Sequence, residues 1–277
     1  MKPQHIFSSL WQYRVLIKHM VLREIASRYK GSLLGLLWAV INPILMLAVY
    51  TFFFSVVFQS RWTGAHSSAA SGSNVGGGQF EFAIVLYAGL LVFNLFSECI
   101  ARAPSLILSN ANYVKKVIFP LEVLPWISLG SALFHLLIGF GVILVFIAVA
   151  GMPLHSTVLL FPLVLLPLIP MVMGLSWLLS SVGVYFRDIG QIIGMALTAL
   201  MFLSPIFYPV TALPESMQGY LLLNPLTFVI EQTRNVLVWG VLPNWSGLLS
   251  YSLVSMGVSW LGLLAFKSMR AGFADVL

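Results

Sequence analysis

The side chains able to do chemistry are few and scattered. Five histidines occur, His5, His19, His66, His135 and His155. None forms the HxxH or HExxH spacing that sets two imidazoles on one helix face, so no metal site is indicated. The eight carboxylates are dispersed as well. No GxxxxGK[ST] run is present, so the chain has no loop of its own to cradle a nucleotide. Any ATP-driven process would therefore hold its ATP and Mg on another polypeptide. No catalytic residue and no bound cofactor is expected. A proton-driven carrier would leave Asp, Glu or several His within its apolar runs. His135 alone sits in one, and a neutral His bonded to a neighbouring helix is the simpler reading. With Cys99 the only cysteine, no intramolecular disulfide is possible.

Two residue classes carry positive signals. Trp38, Tyr50, Phe52, Phe53 and Phe54 share one apolar run, and Phe202, Phe207 and Tyr208 close another. Aromatic faces stack on the C–H surfaces of sugar rings, while Tyr and Trp add hydrogen bonds. A sliding polymer needs weak, repeated contacts of that kind. The competing reading is ordinary enrichment of aromatics at membrane interfaces. Basic residues form the second class. All but Arg61 and Arg234 of the fourteen Lys and Arg fall in segments assigned to the cytoplasm, so the net charge of +6 is mainly topological and does not indicate nucleic acid.

The elements that position these groups can be read from composition. At 60% hydrophobic and 8% charged, the chain lacks the polar surface to cover a soluble globule. The organising run is RYKGSLLGLLWAVINPILMLAVYTFFFSVVF, Arg28 to Phe58, without a charge from Leu33 onward. A helix over 33–58 would be about 39 Å long, enough to cross a bilayer. Pro43 should kink it. Arg23, Arg28 and Lys30 precede it and hold that end on the cytoplasmic side.

An all-α membrane protein is predicted, with spans at about 33–58, 80–99, 121–150, 157–184, 192–204 and 245–266. Both termini are then cytoplasmic. Residues 1–30 interleave charges with apolar groups, so no cleavable signal is evident. Ile6, Leu10, Tyr13, Ile17, Met20 and Ile25 recur at helical spacing opposite Arg14, Lys18 and Arg23, predicting an amphipathic interface helix. Residues 59–80, with SSAASGSNVGGG, predict a flexible external loop. Glu98 is expected at the hydrated inner end of the second span. Residues 103–116 predict a short helix along the cytoplasmic face, with Arg102, Asn110, Asn112, Lys115 and Lys116 at or beside it. Pro162, Pro167 and Pro170 make the fourth span irregular. Pro205, Pro209, Pro214 and Pro225 cut residues 205–240 into pieces shorter than a bilayer crossing, predicting re-entrant helices that close the outer face. Charge is sparse there, with Glu215, Glu231 and Arg234 read as lying outside. No internal repeat is visible, against an inverted-repeat carrier.

The motifs RYKGSLLGLLWAVINP, NYVKKVIFPLEVLP (Asn112 to Pro125), YFRDIG (Tyr185 to Gly190), SPIFYP (Ser204 to Pro209) and NPLTFVIEQTR (Asn224 to Arg234) occur in that order along nearly the whole chain. Together they resemble the permease subunits of ABC-type polysaccharide exporters, which move O-antigen, capsule or teichoic acid chains on lipid carriers. Asn42-Pro43 looks more like the O-antigen and teichoic-acid branch than the capsule branch. The resemblance implies a type-2 ABC exporter fold and a homodimer with two ATP-binding subunits on its cytoplasmic face, in a bacterial inner membrane. It implies channel contacts to the polymer from Trp38, Tyr50, Phe54, Phe202 and Tyr208, and ATPase coupling through Arg102, Asn110, Asn112, Lys115 and Lys116. It also implies contact with the undecaprenyl pyrophosphate through Arg23, Arg28 and Lys30, and an outer gate at Pro205, Tyr208, Pro209, Asn224 and Pro225. A drug- or lipid-exporting ABC permease shares the six-span plan. A membrane transferase would need a His/Asp or Asp/Glu cluster that is absent, and a purely structural assembly subunit is the remaining alternative.

Overall fold

A computed structural model describes residues 11–53, 77–115, 119–221 and 223–276. The described residues are helices joined by single turns, with no strand. In chain order they are α1 (Arg14–Tyr29), α2 (Trp38–Thr51), α3 (Gly77–Arg102), the short α4 (Ala111–Lys115), α5 (Leu124–Val149), α6 (Phe161–Leu165), α7 (Leu168–Tyr185), α8 (Ile189–Leu203), α9 (Glu215–Leu221), α10 (Thr227–Arg234), α11 (Trp245–Met269) and α12 (Phe273–Val276). The loop expected at 59–80 falls mostly outside the described residues, as do Phe54 and Lys116.

Four helical stretches are long and apolar enough to cross a membrane, namely Phe80–Ser105, Leu121–Val149, Ser156–Tyr185 and Trp245–Val276. Gly35–Thr51 and Ile189–Leu203 are apolar but shorter. The fifteen residues of α8 would reach only ~22 Å as a straight helix. The fourth stretch is broken, as its prolines predict: a turn over Ser156–Leu160 leads to α6, and Pro167 separates α6 from α7.

Helix α3 is the centre of the bundle. From Ala83 to Val92 its side chains are buried all round, against α5, α10, α2 and α8. The most extensive packing is between α7 and α11. Their backbones touch there: a Cβ at Gly262 would lie 2.0 Å from the Gly174 carbonyl oxygen. Small residues are what let membrane helices approach so closely where burial gives no hydrophobic advantage over lipid. At the foot of α11, Arg270 Nη1 meets Glu122 Oε2 at 2.9 Å, tying this end to the turn before α5.

Helix α1 lies on this same end, against α5. Met20 and Ile25 are buried while Arg14, Lys18 and Arg23 remain exposed, as the periodicity predicts. It stops at Lys30, where the backbone turns extended, and Gly31 comes next in the left-handed region at φ 89°.

Candidate functional site

Two constellations of polar groups interrupt this apolar bundle, one at each end of α3. The first gathers where α1 crosses the bundle. Arg28 forms an ion pair with Glu98 of α3. Glu98 Oε2 also lies 2.9 Å from His135 Nδ1 on α5, and Tyr29 Oη lies 3.0 Å from His135 Nε2. Residues on three helices thus share one network. A hydrated Glu98 was expected; it is instead only 16% exposed. The cause is α1, which covers the foot of α3 and supplies the cation that lets a carboxylate stay in an apolar setting. His135 bonds neighbouring helices, in keeping with the simpler of its two readings.

Next to this network, Arg102 Nη2 contacts Glu24 Oε1 at 2.5 Å, and Arg23 Nη2 donates to Tyr113 Oη at 2.9 Å. That hydroxyl holds the Arg23 guanidinium above its ordinary pKa. Between α1 and the segment after α3 lies a cavity of about 220 Å³, lined among others by Arg23, Glu24, Arg102, Ser105, Ser109 and Asn110. Asn112 and Lys30 are exposed. The single helix predicted over 103–116 is a correction: the chain makes turns at Ala103–Ser105 and Leu108–Asn110, then the five-residue α4. Side chains compete for the backbone here. Ser105 and Ser109 hydroxyls donate to carbonyls three residues back, and Asn110 Nδ2 donates to Leu106 O at 2.9 Å.

The second constellation lies at the far end of α3, where α8 stops. Ser204 turns extended after Leu203. Asn224 Nδ2 donates to Ser204 Oγ at 2.9 Å, while its Oδ1 accepts the Leu226 N–H at 2.9 Å ahead of α10. Tyr251 Oη donates to Pro225 O at 2.7 Å. Tyr208 Oη is 3.3 Å from the carbonyls of Phe202 and Leu203, so the segment folds back on the helix it leaves. Pro205 is buried and Pro209 half-buried. Of the charges read on the outer side, Arg234 is only 2% exposed and lies among backbone carbonyls.

Three of the aromatic candidates, Trp38, Tyr50 and Phe202, fall on two poorly covered helices. Trp38 is exposed on α2, and Phe202, 60% exposed on α8, stacks on Phe207 with ring centroids 5.7 Å apart. Tyr50 is half-buried against the core. Val40, Ile44, Leu45, Met46 and Val49 of α2, and Ile192 and Met195 of α8, are exposed too. Among the described residues no three His, Cys, Asp or Glu side chains are grouped to hold a metal ion.

A bundle of helices, four of them long and apolar enough to cross a bilayer, is the architecture of a multi-pass membrane protein. Residues 15–238 match the ABC-2 type transporter family, and the chain belongs to that family. It is 30% identical to the O-antigen export system permease protein RfbA of Myxococcus xanthus over 268 residues, 96% of each chain. It is 26% identical to the RfbA permease of Klebsiella pneumoniae over 92% of each chain. With the polysialic acid transport protein KpsM of Escherichia coli it shares 23% identity over 92% of this chain and 93% of the other.

Proposed function

We propose that this chain is the channel-forming permease subunit of an ATP-driven exporter that carries lipid-linked O-antigen polysaccharide across the bacterial inner membrane. The observation that carries the reading is the likeness to O-antigen export permeases along 96% of both chains. Two copies face each other, burying the exposed apolar sides of α2 and α8 around a shared path, and two ATP-binding subunits sit under the end that carries α1. Arg23 and Lys30 are the exposed cations available to an incoming pyrophosphate. Arg28, shared with Glu98 and His135, contributes through the network it orders. Closure of the ATP-binding subunits presses on the segment from Arg102 to Lys116 and, through the contacts to α1 and α3, shifts the path-lining helices. The glycan then advances past Trp38, Tyr50, Phe54, Phe202 and Tyr208 by weak stacking contacts, and the segment around Pro205, Pro209, Asn224 and Pro225 parts to release it. The chain itself performs no catalysis.

The test is purification of the tagged protein from native membranes, then export of lipid-linked glycan in reconstituted vesicles. A co-purifying ATP-binding subunit, lost when Lys115 and Lys116 are both changed to Glu, together with ATP-dependent glycan movement, is the expected result. Wild-type protein that brings down no such subunit would sink the reading.

A further inference from the structure

The Arg234 guanidinium is buried where no part of the proposed transport cycle calls for a charge. A buried cation in a membrane protein is costly and is kept for a reason. Its Nε donates to Val85 O of α3 at 3.0 Å, Nη1 to Pro205 O at 2.6 Å and Nη2 to Ile206 O at 2.8 Å. All three nitrogens of the planar fork are thus engaged with carbonyl groups, an arrangement that a lysine's single ammonium cannot reproduce. Glu231, three residues earlier, adds a favourable opposite charge.

The two sides of this contact differ in kind. Val85 belongs to the buried centre of the bundle, whereas Pro205 and Ile206 belong to the stretch that begins where α8 ends. That stretch has lost its helical hydrogen-bond ladder, so its carbonyls need donors from elsewhere. Gly89 leaves α3 without a side chain where the guanidinium lies. A Cβ on Gly89, one turn after Val85, would lie 3.1 Å from Arg234 Nη2 and 3.4 Å from Ile230 Cγ2. Asn224 to Ser204 and Tyr251 to Pro225 fasten the same stretch from two further directions. The chain beyond Leu203 is therefore bolted to α3, α10 and α11, while α8 itself presents mostly exposed side chains.

We infer that Arg234 is the positioning residue of the outer gate: by holding the Pro205 and Ile206 carbonyls against Val85 it fixes the closed position of the segment that seals the path. The inference rests on the permease reading above. It makes Leu203–Ser204 the pivot between α8 and the cap, which parts from its closed position when α8 moves. Loss of the guanidinium frees the cap to leave its closed position without ATP.

The experiment uses the permease purified with its ATP-binding subunits and reconstituted in vesicles loaded with carboxyfluorescein, without nucleotide. Wild-type vesicles retain the dye. Arg234→Met is expected to release it faster by at least about tenfold, the equivalent of losing one charged hydrogen bond of ~1.4 kcal/mol. Arg234→Lys restores charge without the fork and is expected to lie between the two. Gly89→Ala presses on the guanidinium without removing it and is expected to leak to a smaller degree. A residue that merely stabilises packing would lower the melting temperature and leave the dye inside. Folded, tight Arg234→Met and Gly89→Ala complexes with normal glycan export would overturn the inference. Should Arg234→Met fail to fold, Gly89→Ala decides alone, a leak supporting the gate and a tight vesicle overturning it. Leaky variants of a complex whose wild type moves no glycan would keep the gate and sink the substrate reading.

Discussion

Changing Glu98 to Gln should loosen α1 from the bundle while leaving the spans folded. The carboxylate is the hub of the network, touching Arg28 and His135, and the amide keeps its shape without its charge. Glu98 and His135 are 16% and 20% exposed, so their contact is largely shielded from solvent. A charge-assisted hydrogen bond in such a place contributes about 1.5 kcal/mol. Arg28 is 45% exposed, so its arm is discounted to ~0.5 kcal/mol. The sum, about 2 kcal/mol, multiplies the undocked population of α1 by ~30. Hydrogen exchange of the backbone amides from Arg14 to Tyr29, measured in lipid nanodiscs, reads this opening directly. Amides in α3 and α5 should exchange as before. A cycle with Arg28→Met should return a coupling near ~0.5 kcal/mol, and one with His135→Leu a larger one. Unchanged exchange in α1 would mean that burial of Met20 and Ile25 alone holds the helix, and the network would be incidental. A uniform rise across all helices would refute the local picture as well.

Four further outcomes are expected. Gly262→Val should prevent the α7–α11 crossing, because its Cβ would stand 2.0 Å from the Gly174 carbonyl oxygen, and fluorescence-detected size exclusion should show loss of the folded peak. Phe202→Ala should lower glycan export while changing stability by less than about 1 kcal/mol, since the ring is mostly exposed and loses only one stacking partner. Phe161→Ala, at a buried ring stacked on Phe140, should instead cost about 3 kcal/mol or more, so thermal melts of the pair separate channel contact from core. Asn224→Ala removes the group that accepts the Leu226 N–H and donates to Ser204; a loss of about 1 kcal/mol is expected in the melt, with dye leakage smaller than in Arg234→Met.

The sequence by itself determined what depends on neighbours along the chain. Runs of uncharged residues fixed where helices form, because a backbone in lipid must satisfy its own hydrogen bonds. Prolines fixed two of the breaks, at Pro167 and after Leu203, whereas Pro43 stands inside the continuous α2. The buried side of α1 was legible from the spacing of Met20 and Ile25. Side-chain competition was harder to weigh: Ser105, Ser109 and Asn110 are common on helices, yet together they divide the predicted coupling helix into turns. What only the tertiary structure decided is which polar groups meet. Glu98 read as a hydrated carboxylate because its partners lie 70 residues away at Arg28 and 37 away at His135. Nothing near Arg234 announced its burial, because the Val85 carbonyl that receives it is 149 residues distant. A charge's burial depends on what the fold brings to it, and local pattern carries no record of contacts at that range.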